Sequence, residues 1–210
     1  MLIKKNLIIL MIFASINLQA DIIERSEVLV KKYLTSPDTL MSNFKQTIID
    51  EQGEVIDEMS GSIMIQKPNK FRWHYKKPYE QIFIRNEKRF ISYDIDLNSY
   101  FIRDFDILKS NALKVLLSND QKLSLKIKYL DVYEKNGILW AHLLYYGQSN
   151  DSFKFTLGFQ GNALSKMLMK DSLGQNMVID FKDLILNPDI NSTLFDIDRL
   201  IESLSYNSSS

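Results

Sequence analysis

Of the side chains that commonly do chemistry, this sequence offers two histidines, His74 and His142, no cysteine, and a few closely spaced carboxylates. Without cysteine there is no thiolate nucleophile, no disulfide, no thiolate metal site and no anchor for a thioether-linked lipid. His74 falls between Arg72 and Lys76, on the face opposite Phe71, Trp73 and Tyr75 if FRWHYK is a strand. An imidazole flanked by cations is a poor base and a poor ligand, so a solvated strand residue is expected. His142 alternates with Trp140 and Leu144 and is expected to be a half-buried, hydrogen-bonded side chain. Asp94 and Asp96 share a face at spacing two, which would suit proton transfer or a hard cation. Beside Leu97-Asn98 they read more simply as turn formers. No GxSxG, HExxH, CxxC or Gly-rich phosphate loop occurs, and seven glycines leave little for a phosphate cradle. No enzyme, cofactor or metal site is expected.

The stretch KPNKFRWHYKKP mixes cations with aromatics, a pairing that can hold nucleic acid. The whole chain, however, balances 26 basic against 26 acidic groups, without the basic surplus of a nucleic-acid binder. An anionic lipid headgroup, an acidic partner surface or a plain solvated strand face remain as readings of that stretch.

Export is expected from the first 20 residues. Lys4 and Lys5 precede an apolar run from Leu7 to Ala14, and Leu18-Gln19-Ala20 ends in a small residue suited to signal-peptide cleavage. The run is about half the ~20 residues a membrane-spanning helix needs. The remaining chain, from Asp21, carries two more acidic than basic groups. An exported chain without cysteine fits the periplasm, with stability left to apolar burial and sheet pairing.

The elements follow from periodicity. Ile22, Leu29 and Tyr33, with Ile23, Val30 and Leu34, recur at helical spacing, and Ser36-Pro37-Asp38 ends that helix. From Phe44 the period changes to two, and short alternating runs continue to Ile102 between turn formers such as Gln52-Gly53 and Pro68-Asn69. Ile107 to Leu117 interrupts them with a second helical pattern. Alternation resumes at Leu123, Leu125 and Ile127 and runs through strands near Trp140, Phe155, Met167 and Ile179. About ten strands and two helices imply a mainly β, α+β domain: one strongly curved antiparallel sheet with a helix before it and another inserted midway. The domain is expected over residues 21–204, with 205–210 a polar, disordered tail. So few helices leave either an apolar cavity inside the curve or a core filled by the sheet's own side chains.

In combination, FKQTIIDEQG, GSIMIQKPNKFRWHYKKP, EQIFIRN and RFISYDIDLNSY resemble the LolA family of periplasmic lipoprotein carriers, with the same block order and spacing. The resemblance implies an incomplete β-barrel whose apolar cavity is closed by the two helices. It implies a soluble monomer that takes acylated lipoprotein from the inner-membrane Lol ABC transporter and delivers it to the outer-membrane receptor LolB. The receptor is itself lipid-anchored, so the missing cysteine favours the carrier. Carried onto this sequence, Lys67 takes the place of an arginine that latches the helical lid, with Arg72 as a second candidate for that contact. Phe71 is expected at the cavity mouth. Trp73, Phe90, Leu97, Leu113, Leu116 and Met167 complete the expected lining. A sensor domain of the same fold, reading lipid or envelope stress, is the competing expectation.

Overall fold

The computed structural model describes residues 20–104, 115–117, 123–146, 152–170 and 174–207. Eleven strands follow one another in the chain: β1 (Thr39–Ile49), β2 (Val55–Gln66), β3 (Lys70–Lys77), β4 (Gln81–Asn86), β5 (Arg89–Asp94) and β6 (Ser99–Asp104) form the first group. The second comprises β7 (Ile127–Lys135), β8 (Ile138–Tyr145), β9 (Phe153–Gln160), β10 (Ala163–Lys170) and β11 (Asn176–Leu186). Each group is a meander, and antiparallel pairing of β1 with β11 joins them into one sheet ordered β6-β5-β4-β3-β2-β1-β11-β10-β9-β8-β7. The sheet is not closed on itself, so the incomplete barrel expected from the sequence is the architecture.

Among the described residues two long helices flank it: α1, residues 20–34, and α2 (Ile197–Asn207). Along β1 to β3, Phe44, Ile63, Ile65, Phe71 and Trp73 turn to one face and are buried there. Register carries that inner face across the sheet through Phe181, Ile179, Met167, Leu157 and Ala141. Leu29, Val30, Tyr33 and Leu34 of α1 belong to the same apolar cluster. Under α2 the outer face is apolar too: Ile82, Ile84, Ile91 and Tyr93 pack there with Phe195 and Ile197.

Three elements differ from the sequence reading. The sheet begins at Thr39, five residues earlier than Phe44, because Leu40 finds partners in both Ile65 and Leu186. Leu123 to Lys126 alternates like a strand but forms a 3-10 turn, since pairing on β8 ends at Ile127 with Tyr145. The helix α2 was not expected, and it runs into the segment read as tail. Its signal was present in the sequence: Ile197, Leu200, Ile201 and Leu204 lie at helical spacing behind Asp196, whose side chain accepts from the Arg199 N–H at 3.1 Å. Of the inserted helix read over Ile107 to Leu117, residues 115–117 are described; they are helical and buried.

Candidate functional site

The concave inner face has two unlike ends. At one, α1 crosses the turns of the sheet. Tyr33 Oη donates to the Asn162 carbonyl at 2.9 Å and Arg25 Nη2 to the Gly161 carbonyl at 2.8 Å, both in the β9–β10 turn. Lys67, in the β2–β3 turn, donates from Nζ to the Leu34 carbonyl at 2.6 Å. That carbonyl is in the last turn of α1 and has no partner inside the helix, so the ammonium supplies a C-terminal cap. Burial pushes the Lys67 amine down to about 8, against an opposing pull from the Asp38 carboxylate. Between these ties the apolar face of α1 fills this end of the barrel. Leu34 is fully buried, and the Tyr33 ring lies 5.9 Å from Phe159.

The other end is where β1 finishes and β4 begins. Here the inner-face aromatics Tyr75, Phe83, Tyr129, Tyr145 and Phe153 are only partly buried against the core. Tyr75 and Phe83 meet edge-on at 6.0 Å, and Tyr145 and Phe153 lie 5.1 Å apart. Tyr75 Oη donates to Gln46 Oε1 at 3.0 Å, and burial raises the phenol above its ordinary pKa. Close by, Trp73 Nε1 is a buried N–H with no hydrogen-bond acceptor. At the same sheet end, between the β1–β2 turn and β9–β11, lies an open pocket of about 760 Å³ lined by Ile49, Phe153, Phe155, Met169 and Met177 among others.

The residues singled out from the sequence are distributed as follows. Phe71, Trp73, Phe90, Leu116 and Met167 are all buried in the inner apolar cluster. Phe71 is at 0% exposure, packed 6.3 Å from Phe90 toward the α1 end, so it is a core residue in this structure and not a rim residue. Leu97 is 75% exposed in the β5–β6 turn, away from the interior. Leu113 lies outside the described residues. Lys67 does touch α1, but Arg72 does not. It sits on the outer face, where Nη1 donates to the Leu194 carbonyl at 3.3 Å and thereby holds the segment leading into α2. Alternation explains the division: Arg72 lies one residue from Phe71 and Trp73, and so faces the opposite side. The partly exposed aromatics were missed, although Tyr75 continues the Phe71-Trp73 row and Phe83 pairs with Trp73 across β3 and β4.

The titratable candidates are structural. His74 Nε2 lies 2.8 Å from Glu80 Oε1, within hydrogen-bonding distance, so the residue expected to be solvated is held by a carboxylate and partly covered. His142 Nδ1 lies 2.7 Å from Thr156 Oγ1 and Nε2 3.3 Å from Tyr133 Oη. Asp94 Oδ1 accepts from the Leu97 N–H and Asp96 Oδ2 from the Glu80 N–H, which closes turns. Among the described residues no group of three His, Asp or Glu side chains converges on a metal position. None of their helices is long and apolar enough to cross a membrane. What the inner face offers is apolar surface with a few hydrogen-bonding groups set in it. Such a surface suits a lipid-like ligand.

Residues 35–198 match the family described as outer membrane lipoprotein carrier protein LolA. An outer-membrane lipoprotein carrier protein of Methylobacillus flagellatus is 31% identical over 166 residues, covering 79% of this chain and 81% of its own. One from Nitrosomonas europaea is 28% identical over 167 residues, with the same shares. Among solved structures, a LolA superfamily protein from Nitrosomonas europaea covers 86% of this chain and 98% of its own, at a TM-score of 0.49 and 10% identity. The chain belongs to the LolA family of outer-membrane lipoprotein carrier proteins.

Proposed function

We propose that this chain is a periplasmic carrier, without turnover chemistry, that shields the acyl chains of lipoproteins between an inner-membrane ABC transporter and the outer-membrane receptor LolB. The observation that carries this reading is the seating of α1. Its apolar face, through Leu29, Val30, Tyr33 and Leu34, occupies the concave apolar face of an unclosed sheet. Acyl chains and the helix compete for that face. An acyl chain in water costs about 0.8 kcal/mol per CH₂, so a lipoprotein needs a covered surface to cross an aqueous space. Exchanging one apolar occupant for another leaves the net free-energy change small, which suits loading followed by release. The polar ties at the ends of α1 add a modest term that sets how readily the helix yields. The 760 Å³ pocket and the partly buried aromatics at the far sheet end supply further apolar surface for the chains.

The test is to purify the processed chain from cells that make lipoproteins and to analyse what is bound by mass spectrometry. Co-purified acylated lipoprotein, released when a LolB-type receptor is added, supports the carrier. A chain that stays empty while binding a regulatory protein overturns it in favour of a sensor.

A further inference from the structure

On the outer face of the sheet, away from α1 and α2, strands β1, β2, β3 and β11 form a groove of about 560 Å³ lined by Lys45, Lys76, Lys77 and Lys182. Glu58 is the one acidic side chain in that lining, and it is paired with Lys45 at 2.5 Å. Lys76, Lys77 and Lys182 are exposed and form no ion pair among the described residues. Asn43 and Ser60 add neutral hydrogen-bonding groups to the floor.

The lysines converge because the backbone is deformed there. In a regular strand the neighbours Lys76 and Lys77 would point to opposite faces. Ser60 pairs with Lys77 and Gly61 with Tyr75, which leaves Lys76 as the extra residue of a β-bulge. A bulge re-aims side chains, and here both consecutive lysines line the groove. Gly61 makes this approach possible. A Cβ at its position would stand 1.8 Å from the His74 carbonyl oxygen, so only glycine fits.

The geometry points to this groove as a docking surface for the anionic headgroups of a lipid bilayer. Charge complementarity is the first argument: three unpaired ammonium groups gather on one face of a chain whose processed form carries two more acidic than basic groups. The groups are all lysines, point charges on long stems, and they lack the planar fork that recognises a carboxylate or phosphate two bonds at a time. Such charges suit a diffuse anionic surface better than one fixed partner. The flanks give the second argument. Tyr79, two residues beyond Lys77, is 75% exposed, and Ile56, two residues before Glu58, is 52% exposed. An exposed tyrosine and an aliphatic side chain beside lysines are what the headgroup boundary of a membrane accommodates. Phe44 of the inner cluster also borders this groove, but its lysines lie on the side of the strands away from the cargo face.

Flotation of the processed chain with vesicles tests the assignment. The chain is expected to float with vesicles of phosphatidylcholine containing about one third phosphatidylglycerol and to stay behind with phosphatidylcholine alone. Binding should fade as NaCl rises from about 0.05 to about 0.5 M. The variant Lys76→Gln/Lys77→Gln/Lys182→Gln should bind about tenfold more weakly or worse, since each lysine contributes separately at an anionic surface. Changing Lys88, Lys128 and Lys135 to Gln, which removes the same charge elsewhere, should leave flotation unchanged. Equal loss in both triple variants would show a net-charge effect and overturn the site. So would no flotation of the unmodified chain, or binding to an acidic peptide without binding to vesicles. A thermal melt of each variant separates lost binding from lost fold. Lipoprotein loading, measured in parallel, is expected to be the same in both triple variants, so failure of the carrier reading would register separately.

Discussion

Lys67 Nζ stands 2.6 Å from the Leu34 carbonyl oxygen and caps α1 from outside the helix. One ammonium thus bears on the end of the element that fills the barrel. Lysine supplies a single bond at this point where a guanidinium could supply several. The stem of Lys67 is partly covered, and a methionine would keep that packing while removing the donor.

Lys67→Met is expected to cost about 1 kcal/mol at neutral pH, a hydrogen bond partly offset by relief of a buried charge. Urea unfolding measures the cost, and hydrogen exchange should show faster opening confined to α1.

The pH dependence of that difference has a defined sign. Lys67 titrates near 8 in the folded chain, and a free lysine near 10.4 when unfolded. Between those values the unfolded chain holds the proton more firmly, so stability gains from rising pH. Below pH 8 both states are charged and the burial penalty is fully present. The stability of the unmodified chain relative to Lys67→Met should therefore rise from about pH 8 to about pH 10.4. Because Lys67 is in part solvated, the gain is expected to be small. A difference that stays flat across this window would remove the buried-amine account.

Phe71 and Phe83 should respond differently to a polar replacement. Phe71→Glu puts a carboxylate where exposure is zero and should cost more than about 3 kcal/mol, which shows as unfolding in a thermal melt. Phe83→Ser, at a partly exposed inner-face position, should leave the chain folded and weaken acyl-chain binding. A fluorescent fatty-acyl probe reads the second effect; a folded Phe83→Ser chain with unchanged binding would exclude that end of the barrel from the site.

Gly61→Ala forces β2 and β3 apart at the bulge, because the clashing atom is backbone and cannot swing aside. The expected loss is about 3 kcal/mol or more, with the charge of the lysine groove unaltered. Chemical denaturation and vesicle flotation together show whether the bulge is needed for lipid binding.

Two contacts that hold α2 differ in kind. Phe195 is fully buried against the outer face, and Phe195→Ala should cost roughly 3–5 kcal/mol. Arg89 donates to Asp198 at 2.8 Å and holds its carboxyl below the usual carboxylate range, yet both groups are open to water. Arg89→Ala should change the melting temperature barely at all.

Much of the sheet was legible because one inner face is buried, and period-two alternation records burial directly. Trp73 and Ile63 reveal their face from sequence alone, and the RFISYD and EQIFIRN strands fall where alternation puts them. The functional roles were less legible. Phe71 and Tyr75 belong to one row of side chains, and only the position of α1 along that row makes one core and the other rim. Arg72 and Lys67 are both basic residues of the same motif, but a turn separates them. One reaches α1 and the other the opposite face. Leu123 and Leu125 alternate without a partner strand, a lack that no local pattern can register.

Among the described residues the sheet runs from β6 to β7 without hydrogen bonds between those two edges. Its girth is therefore not set by a closed ladder. An open sheet can spread at its gap by small changes of twist shared over many strands, with its backbone pairs kept. On the carrier reading, a wall that is free at both edges would let acyl chains displace α1 without breaking any strand pair.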